Sequence, residues 1–412
     1  MSSLLIRNIS RIYGINETFG GLKKGVEMAK VMHQDDAFLL CEHGVVIAYG
    51  SMESCPDRAD QIIDARGGCV LPGWCDSHTH LVFAASREEE FVYRLKGMTY
   101  AEIAERGGGI LNSALKLQKM DEDTLYEQSA QRLEKVISMG TAAIEIKSGY
   151  GLTAESELKM LRVIKRLKEH YSIGIKSTFL GAHAVPTAYK NNRQAYIDHI
   201  IQDMLPTVAE EGLADYMDVF CDIGFFTVEE TDMLLKTAAG FGLKAKIHAN
   251  ELANSGGVQV GILNQAVSVD HLEEIGEEEI SALRQSRTIP TVLPFCSYFL
   301  GIPYAPSRKM IDAGLGIAIA SDYNPGTSPA GNMALLMSVA CTQMKLLPEE
   351  AFNGLTHNGA CAMEWQNQYG SIGIGKTASF IITHAIPSLA YLPYAFGDNH
   401  IRQVVIKGKA VN

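Results

Sequence analysis

The 412-residue chain is 47% apolar and 20% charged, long enough for a large core and more than one packing unit. Its net charge of −11 includes no long basic run, which argues against a nucleic-acid partner; one buried arginine would still suffice to bind an anionic small molecule. The eight cysteines (Cys41, Cys55, Cys69, Cys75, Cys221, Cys296, Cys341 and Cys361) form no C-x-x-C pair, so reduced thiols in a cytoplasmic protein are expected rather than disulfides or a cysteine zinc cluster.

The opening MSSLLIRNISRIYG lacks the apolar core of a secretory signal, and no apolar run reaches membrane-spanning length, so no membrane partner is expected. The stretches LLIRNIS (4–10), DAFLLCEHGVVIAYGS (36–51) and QIIDARG (61–67) read as short strands broken by Gly, Asn and Asp. GKTASFIITHA (375–385) and IRQVVIKGKAV (401–411) read the same way at the other end. The two ends predict one small β-sandwich domain, made of residues 1–70 and 366–412, around a different middle unit of residues 71–365.

That middle alternates. Its strand-like runs, in order, are CVLPGWCDSH (69–78), TAAIEIKSGY (141–150), IGIKSTFLGAHAV (173–185), DYMDVFCDIGF (215–225), LKAKIHANE (243–251), QAVSVDHLEE (265–274), TIPTVLPFC (288–296) and LGIAIASDYNP (315–325). Between most of them lie helix-like stretches such as 154–171 and 227–242, with apolar residues at three- and four-residue spacing. Continuous apolar strands alternating with helices predict a parallel sheet covered by helices, and eight of them predict a (β/α)8 barrel. A doubly wound open sheet is the competing architecture, but no G-x-G-x-x-G follows an early strand.

Polar residues interrupt this pattern at the C-terminal ends of the strands: His78 and His80, Tyr150, His183, Asp222, His248, His271 and Asp322. In a barrel those ends meet at one face, where active sites are built. Alternate residues of a strand point to one side, so His78 and His80 can converge on one ion. Taken alone, H-x-H is a weak signal, His248 reads equally as a core histidine, and Asp322 as a turn aspartate before Asn-Pro-Gly. Together, three imidazoles and a carboxylate make a zinc or iron site, and water completing its sphere would ionise near neutral pH.

LPGWCDSHTHLVF (71–83) resembles the first-strand signature of the amidohydrolase superfamily. HTHLVFAASREEEF, MTYAEIAERGGGI, EIKSGYGL, FLGAHAVP, IHANELANSGG, VDHLE, SDYNPGTSP and LPYAFGDNHI narrow the likeness to the imidazolonepropionases, hydrolases of histidine degradation. The resemblance implies His78, His80, His248 and Asp322 as ligands of one Zn2+ or Fe3+ per subunit, and a homodimer. It also implies Arg87 as the contact to a substrate carboxylate, with Tyr150 at the mouth of the second strand. His183 would donate to a substrate carbonyl and stabilise the charge developing there, and Glu251, with His271 and Asp322, would manage protons. Backbone amides of Asn324, Gly326 and Thr327 would form an anion-binding concavity, unless the segment is a plain Pro-Gly turn.

The implied reaction is hydrolysis of the cyclic amide bond of 4-imidazolone-5-propanoate to N-formimidoyl-L-glutamate, the third step of L-histidine degradation. Binuclear relatives bridge two metals through a carboxylated lysine ending the fourth strand, and DVFCDIGFF has none, so one metal is expected; Lys147 belongs to the second strand. RGGGI (106–110) follows no strand and reads as a mobile loop over the site rather than a phosphate cradle. The rival readings are a heterocycle deaminase using the same ligands, and a barrel without activity serving as a binding protein.

Overall fold

The computed structural model describes residues 3–16, 20–98, 102 and 108–411. Its strands form two eight-stranded sheets. The first is built from the ends of the chain: β1 (Ser3–Tyr13), β2 (His33–Glu42), β3 (Val45–Ser51), β4 (Gln61–Asp64), β5 (Cys69–Pro72), β14 (Phe380–Thr383), β15 (Ile401–Ile406) and β16 (Lys409–Val411). β1 pairs antiparallel with β2 on one edge and parallel with β4 and β5 on the other. β14 then joins β5, which welds the C-terminal strands to the N-terminal ones. The sandwich expected from sequence is thus a single connected sheet with its own apolar cluster, including Ile6, Ile12, Leu39, Phe380 and Val405.

The second sheet holds β6 (Trp74–Asp76), β7 (Thr141–Lys147), β8 (Gly174–Ala182), β9 (Tyr216–Cys221), β10 (Lys244–Ala249), β11 (Ser268–His271), β12 (Ile289–Val292) and β13 (Ala318–Ile319). Each lies beside its chain neighbour, and every pairing is parallel. A parallel bridge between Thr79 and Tyr323 brings the last strand back to the first. His80 N donates to Tyr323 O at 2.9 Å and Asp322 N to His78 O at 3.0 Å, so the H-x-H stretch and the aspartate are stitched together by backbone. Ser321 adds two more ties, donating to Asp76 from N at 2.9 Å and from Oγ at 2.6 Å. This is the nearly closed (β/α)8 barrel.

The helix-like periodicity is borne out. Helices Ala154–His170 and Val228–Gly240 occupy two of the expected stretches, and Thr153 and Thr227 cap their first turns with side-chain oxygens. Along β7 the apolar Ile144 and Ile146 alternate with buried Glu145 and Lys147, an arrangement whose purpose lies at the barrel centre.

One expectation from sequence needs correcting. CVLPGWCDSH is not one strand: β5 belongs to the terminal sheet and β6 to the barrel, with Gly73 between them. The chain crosses between sheets here because it passes tightly over β7; a Cβ on Gly73 would lie 2.4 Å from the Ala142 Cβ and 3.1 Å from Gly140 O. Since β5 continues to Pro72, we propose the seam of the β-domain at Gly73 rather than at residue 70, with residues 366–412 completing it. Gly73→Ala should destabilise the fold by about 1–3 kcal/mol through overpacking, read as a lowered thermal midpoint.

Candidate active site

The C-terminal ends of the barrel strands open on a cavity of about 370 Å3 whose walls include His80, Arg87, Tyr150, His183, Glu251 and Asp322. At its floor, three imidazoles and a carboxylate converge. His78 Nε2 and His80 Nε2 each lie 3.6 Å from Asp322 Oδ1, and His248 Nε2 lies 3.3 Å from His80 Nε2. Ligands about 2.0–2.2 Å from one tetrahedral ion sit roughly 3.2–3.6 Å from each other, so these three spacings are those expected around a single cation.

The protonation pattern fits it as well. His78 Nδ1 is 2.6 Å from Asp270 Oδ2, and His248 Nδ1 is 2.9 Å from Asp218 Oδ2. A carboxylate accepts, so both rings carry hydrogen on Nδ1 and turn a bare Nε2 lone pair to the centre. His78 Nε2 is buried without a hydrogen-bond partner. Burial and neighbouring positive groups hold His78 and His80 far below the usual histidine range, so both are neutral. Burial, helped by the nearby Glu251 charge, pushes Asp322 up to about 8 against the opposing pull of His271 and Asn324, a penalty that a cation would relieve. His80 alone lacks a supporting carboxylate; its ring lies nearly parallel to that of His183, with centroids 5.3 Å apart.

Asp270 and Asp218 are themselves held from below. Lys147 Nζ lies 2.6 Å from Glu145 Oε1, 2.8 Å from Asp218 Oδ2 and 3.7 Å from Asp270 Oδ2. Lys246 Nζ pairs with the other oxygen of Glu145 and donates to Ser77 O at 2.9 Å. All five side chains are fully buried. Burial drives Lys147 toward neutrality, but Asp218, Glu145 and Asp270 outweigh it and keep the ammonium charged. Lys147 is therefore committed to ion pairs, in keeping with its exclusion as a bridging ligand.

Above the floor, Glu251 Oε2 lies 3.4 Å from His271 Nε2, and His271 Nδ1 lies 3.6 Å from Glu273 Oε2. Regular strand geometry would send His271 away from the interior, because its neighbour Asp270 already points inward. The left-handed backbone of His271 (φ 86°) and Leu272 (φ 72°) turns the ring back over the cavity. Burial pulls the His271 pKa down, yet Glu251 and Glu273 outweigh it and raise it well above the ordinary value. Burial conversely pushes Glu251 up to about 7, against the pull of His271. Asp222 fixes the Glu251 loop by accepting from Glu251 N at 2.9 Å and Leu252 N at 2.8 Å.

His183 departs from expectation. Its Nδ1 is 2.9 Å from Gly149 O, and a carbonyl only accepts, so the proton sits on Nδ1. Burial lowers the pKa of His183 to about 3, so the ring is neutral and its Nε2 is an acceptor. In this state it presents an acceptor, where the sequence reading expected a donor to a developing oxyanion.

Arg87 Nε donates to Ser113 Oγ at 2.8 Å, and the guanidinium carbon stands 5.6 Å from the Tyr150 ring centroid. Its Nη2 is buried without a partner among the described residues, a charged donor left free to bind. The loop after β13 is the plain turn, not a free anion cradle: Gly326 N and Thr327 N donate to Asn324 Oδ1 at 2.7 and 2.8 Å, while Asn324 Nδ2 donates to Asp322 Oδ2 at 2.9 Å. Of RGGGI, residues 106 and 107 lie outside the described residues; Gly109 N donates to Glu90 Oε1 at 3.0 Å, and Ile110 lines the cavity.

The sequence reading overlooked Asp218, Asp270 and the lysines beneath them. Their signal was charge in the middle of apolar strands, as in AIEIK, AKIH and SVDH, where an inward-facing ion demands a partner. Asp270→Asn and Asp218→Asn should each lower metal affinity about 10–100-fold, because each replaces the carboxylate charge that supports a ligand's tautomer and basicity with a neutral amide; metal retained after dialysis against graded chelator reads this directly.

The family model described as Amidohydrolase family matches residues 69–411. An imidazolonepropionase of Flavobacterium johnsoniae is 53% identical over 99% of both chains. One from Thermoanaerobacter pseudethanolicus is 40% identical, covering 98% of this chain and 96% of the other. Among solved structures, a triazine hydrolase variant aligns with a TM-score of 0.75 at 16% identity, over 99% of this chain and 94% of that one. E. coli guanine deaminase aligns with 0.74 at 15%, over 100% and 99%. A zinc-bound adenosine deaminase from Xanthomonas campestris aligns with 0.72 at 15%, over 99% and 92%. At such identities these three speak for the barrel alone, whereas the family match implies a divalent metal for the site. With the barrel, the converging donors and near full-length identity in agreement, the chain belongs to the amidohydrolase family and, within it, to the imidazolonepropionases.

Proposed function

We propose that this chain hydrolyses the cyclic amide of 4-imidazolone-5-propanoate to N-formimidoyl-L-glutamate, the third step of L-histidine degradation. The observation that carries the reading is the buried, unpartnered Nη2 of Arg87 in the same cavity as the donor cluster, which suits a small substrate bearing both an amide and a carboxylate. The identity of the relatives supports it across the whole chain.

His78, His80, His248 and Asp322 would hold one ion, zinc or iron, since imidazole suits both. When bound, such an ion acidifies water and polarises a carbonyl. The residues of the chain do the rest. Arg87 clamps the propanoate as a bidentate pair, with Tyr150 walling the same side. His183 Nε2 accepts the substrate ring N–H, the role its tautomer permits. Glu251 takes a proton from the attacking water and delivers it to the departing ring nitrogen. The new carbon–oxygen bond forms at the ring carbonyl carbon, whose bond to nitrogen breaks, giving a carboxylate and the formimidoyl N–H. His271, paired with Glu251 and Glu273, keeps a positive charge beside this proton traffic. Asp322 supports the ligand set and reaches the proton path through its proximity to Glu251. Asn324 keeps Gly326 and Thr327 folded against the cavity wall. A homodimer and a cytoplasmic setting belong to the same reading; they are supported by the resemblance and by eight free cysteines.

Three outcomes are expected. Fresh imidazolone propanoate should lose its ultraviolet absorbance rapidly with the enzyme, but not after chelation; ammonia released from guanine, adenosine or cytosine instead would mean a deaminase. Arg87→Met should lower kcat/KM by roughly 10–100-fold, chiefly through KM, as expected for losing hydrogen bonds to a charged group. Glu251 must be ionised to accept a proton, so kcat/KM should fall as pH drops through about 7. Glu251→Gln should lose about 10²–10⁴-fold in turnover together with that acid limb.

A further inference from the structure

A second set of donor atoms stands beside the first. Glu251 from the loop after β10, His271 at the end of β11, and Cys296 in the helix Pro294–Leu300 place an oxygen, a nitrogen and a sulfur within 4.8 Å of one another. Cys296 Sγ lies 3.9 Å from Glu251 Oε1, and His271 Nε2 lies 3.4 Å from Glu251 Oε2. Around tetrahedral zinc, with bonds of about 2.0–2.1 Å to oxygen and nitrogen and 2.3 Å to sulfur, such donors sit roughly 3.3–3.6 Å apart, so side-chain rotations that draw in a cluster already within 4.8 Å complete the set.

An independent feature points the same way. His271 Nδ1 and Glu273 Oε2 are both buried without a hydrogen-bond partner, 3.6 Å apart. An ion on His271 Nε2 would fix the proton on Nδ1 and direct it to Glu273, the same imidazole–carboxylate support that Asp270 gives His78. Cys296 is fully buried, whereas Glu251 faces the cavity and offers the route of entry.

We propose that Glu251, His271 and Cys296 form a second, inhibitory site for a thiophilic divalent cation, of the class of Zn2+ and Cd2+. Thiolate with imidazole selects such ions over Mg2+ or Ca2+, and binding releases two protons to solvent, one from the Cys296 thiol and one from Nε2 of the charged His271. Inhibition rests on the proposed role of Glu251: a carboxylate bound to a cation no longer ferries protons. The site also sets a ceiling on useful metal, since the ion that loads the first site blocks the enzyme when in excess.

The test titrates enzyme carrying one equivalent of metal with Cd2+, following the thiolate-to-cadmium charge-transfer band and, separately, turnover. Wild type should take up one further equivalent with a new band and a parallel loss of activity, and Mg2+ should give neither. In Cys296→Ser that band should vanish and half-inhibition should need roughly tenfold more Cd2+ or above, as for the loss of one of three protein ligands. Cys296→Ala should behave likewise and replaces the serine variant if that one fails to fold. An unchanged band and inhibition in both variants would overturn the site, as would a Cys296-dependent band without inhibition, or inhibition without a band. The optical arm needs no substrate, so a wrong substrate assignment leaves the binding result intact.

Discussion

The site is organised around one ammonium group, Lys147, buried between the carboxylates of Asp218 and Asp270. With Lys246 and Glu145 it forms a cluster of two positive and three negative side chains, none with solvent access. A cluster like this is a poor source of stability, because desolvating each ion costs several kcal/mol that attraction only partly returns. Removing one member is a different matter, since it leaves an uncompensated buried charge. The benefit is geometric. With Lys147 beneath them, Asp218 and Asp270 stay available as acceptors to His248 and His78, and those hydrogen bonds decide which ring nitrogen faces the cavity.

The same barrel face therefore holds histidines of three kinds, separated by their neighbours rather than by burial, which they share. His78, His80 and His248 are neutral and turned toward one point. His271, between Glu251 and Glu273, is held charged. His183, donating from Nδ1 to the backbone carbonyl of Gly149, presents an acceptor at Nε2. Charge is thus layered: ion pairs at the base, a neutral donor set above them, and an imidazolium–carboxylate group at the level where substrate protons move. This layering keeps neutral donors and a charged pair side by side in one small cavity.

The barrel was legible because its strands are apolar runs that break to polar residues at one end, a pattern missing only from the seventh, TIPTVLPFC. The convergence of His78, His80, His248 and Asp322 followed from that end being common to all strands. What the chain does not spell out is long-range or conformational. Nothing local in DYMDVF or SVDH says that Asp218 and Asp270 share one lysine from a strand about seventy residues or more upstream. Nor does the pattern foretell that β5 and β6 part company at Gly73, because a continuous apolar run looks alike in one sheet or two. Strand alternation would even have misplaced His271, whose inward turn depends on left-handed backbone at two consecutive non-glycine residues. Cys296 was read only as one scattered thiol, because its partners arrive from two other strands.

The barrel is shared with triazine hydrolase and with purine deaminases at about one residue in six, so the fold cannot by itself choose a substrate. Choice must come from the rim, where one contact stands out. A Cβ on Gly326 would lie 2.3 Å from Arg87 Nη1, so the guanidinium occupies the space that any other residue would fill. The Asn324 turn presses Gly326 into that position, and Arg94 Nη2 donates to Gly326 O at 2.7 Å from the helix Glu88–Leu95. An arginine following the first strand and a glycine following the eighth are thus two halves of one fit. Since the two come from opposite ends of the barrel sequence, neither can be exchanged alone while keeping a buried cation above the metal floor. The turn built on Asn324 holds Gly326 in that pairing.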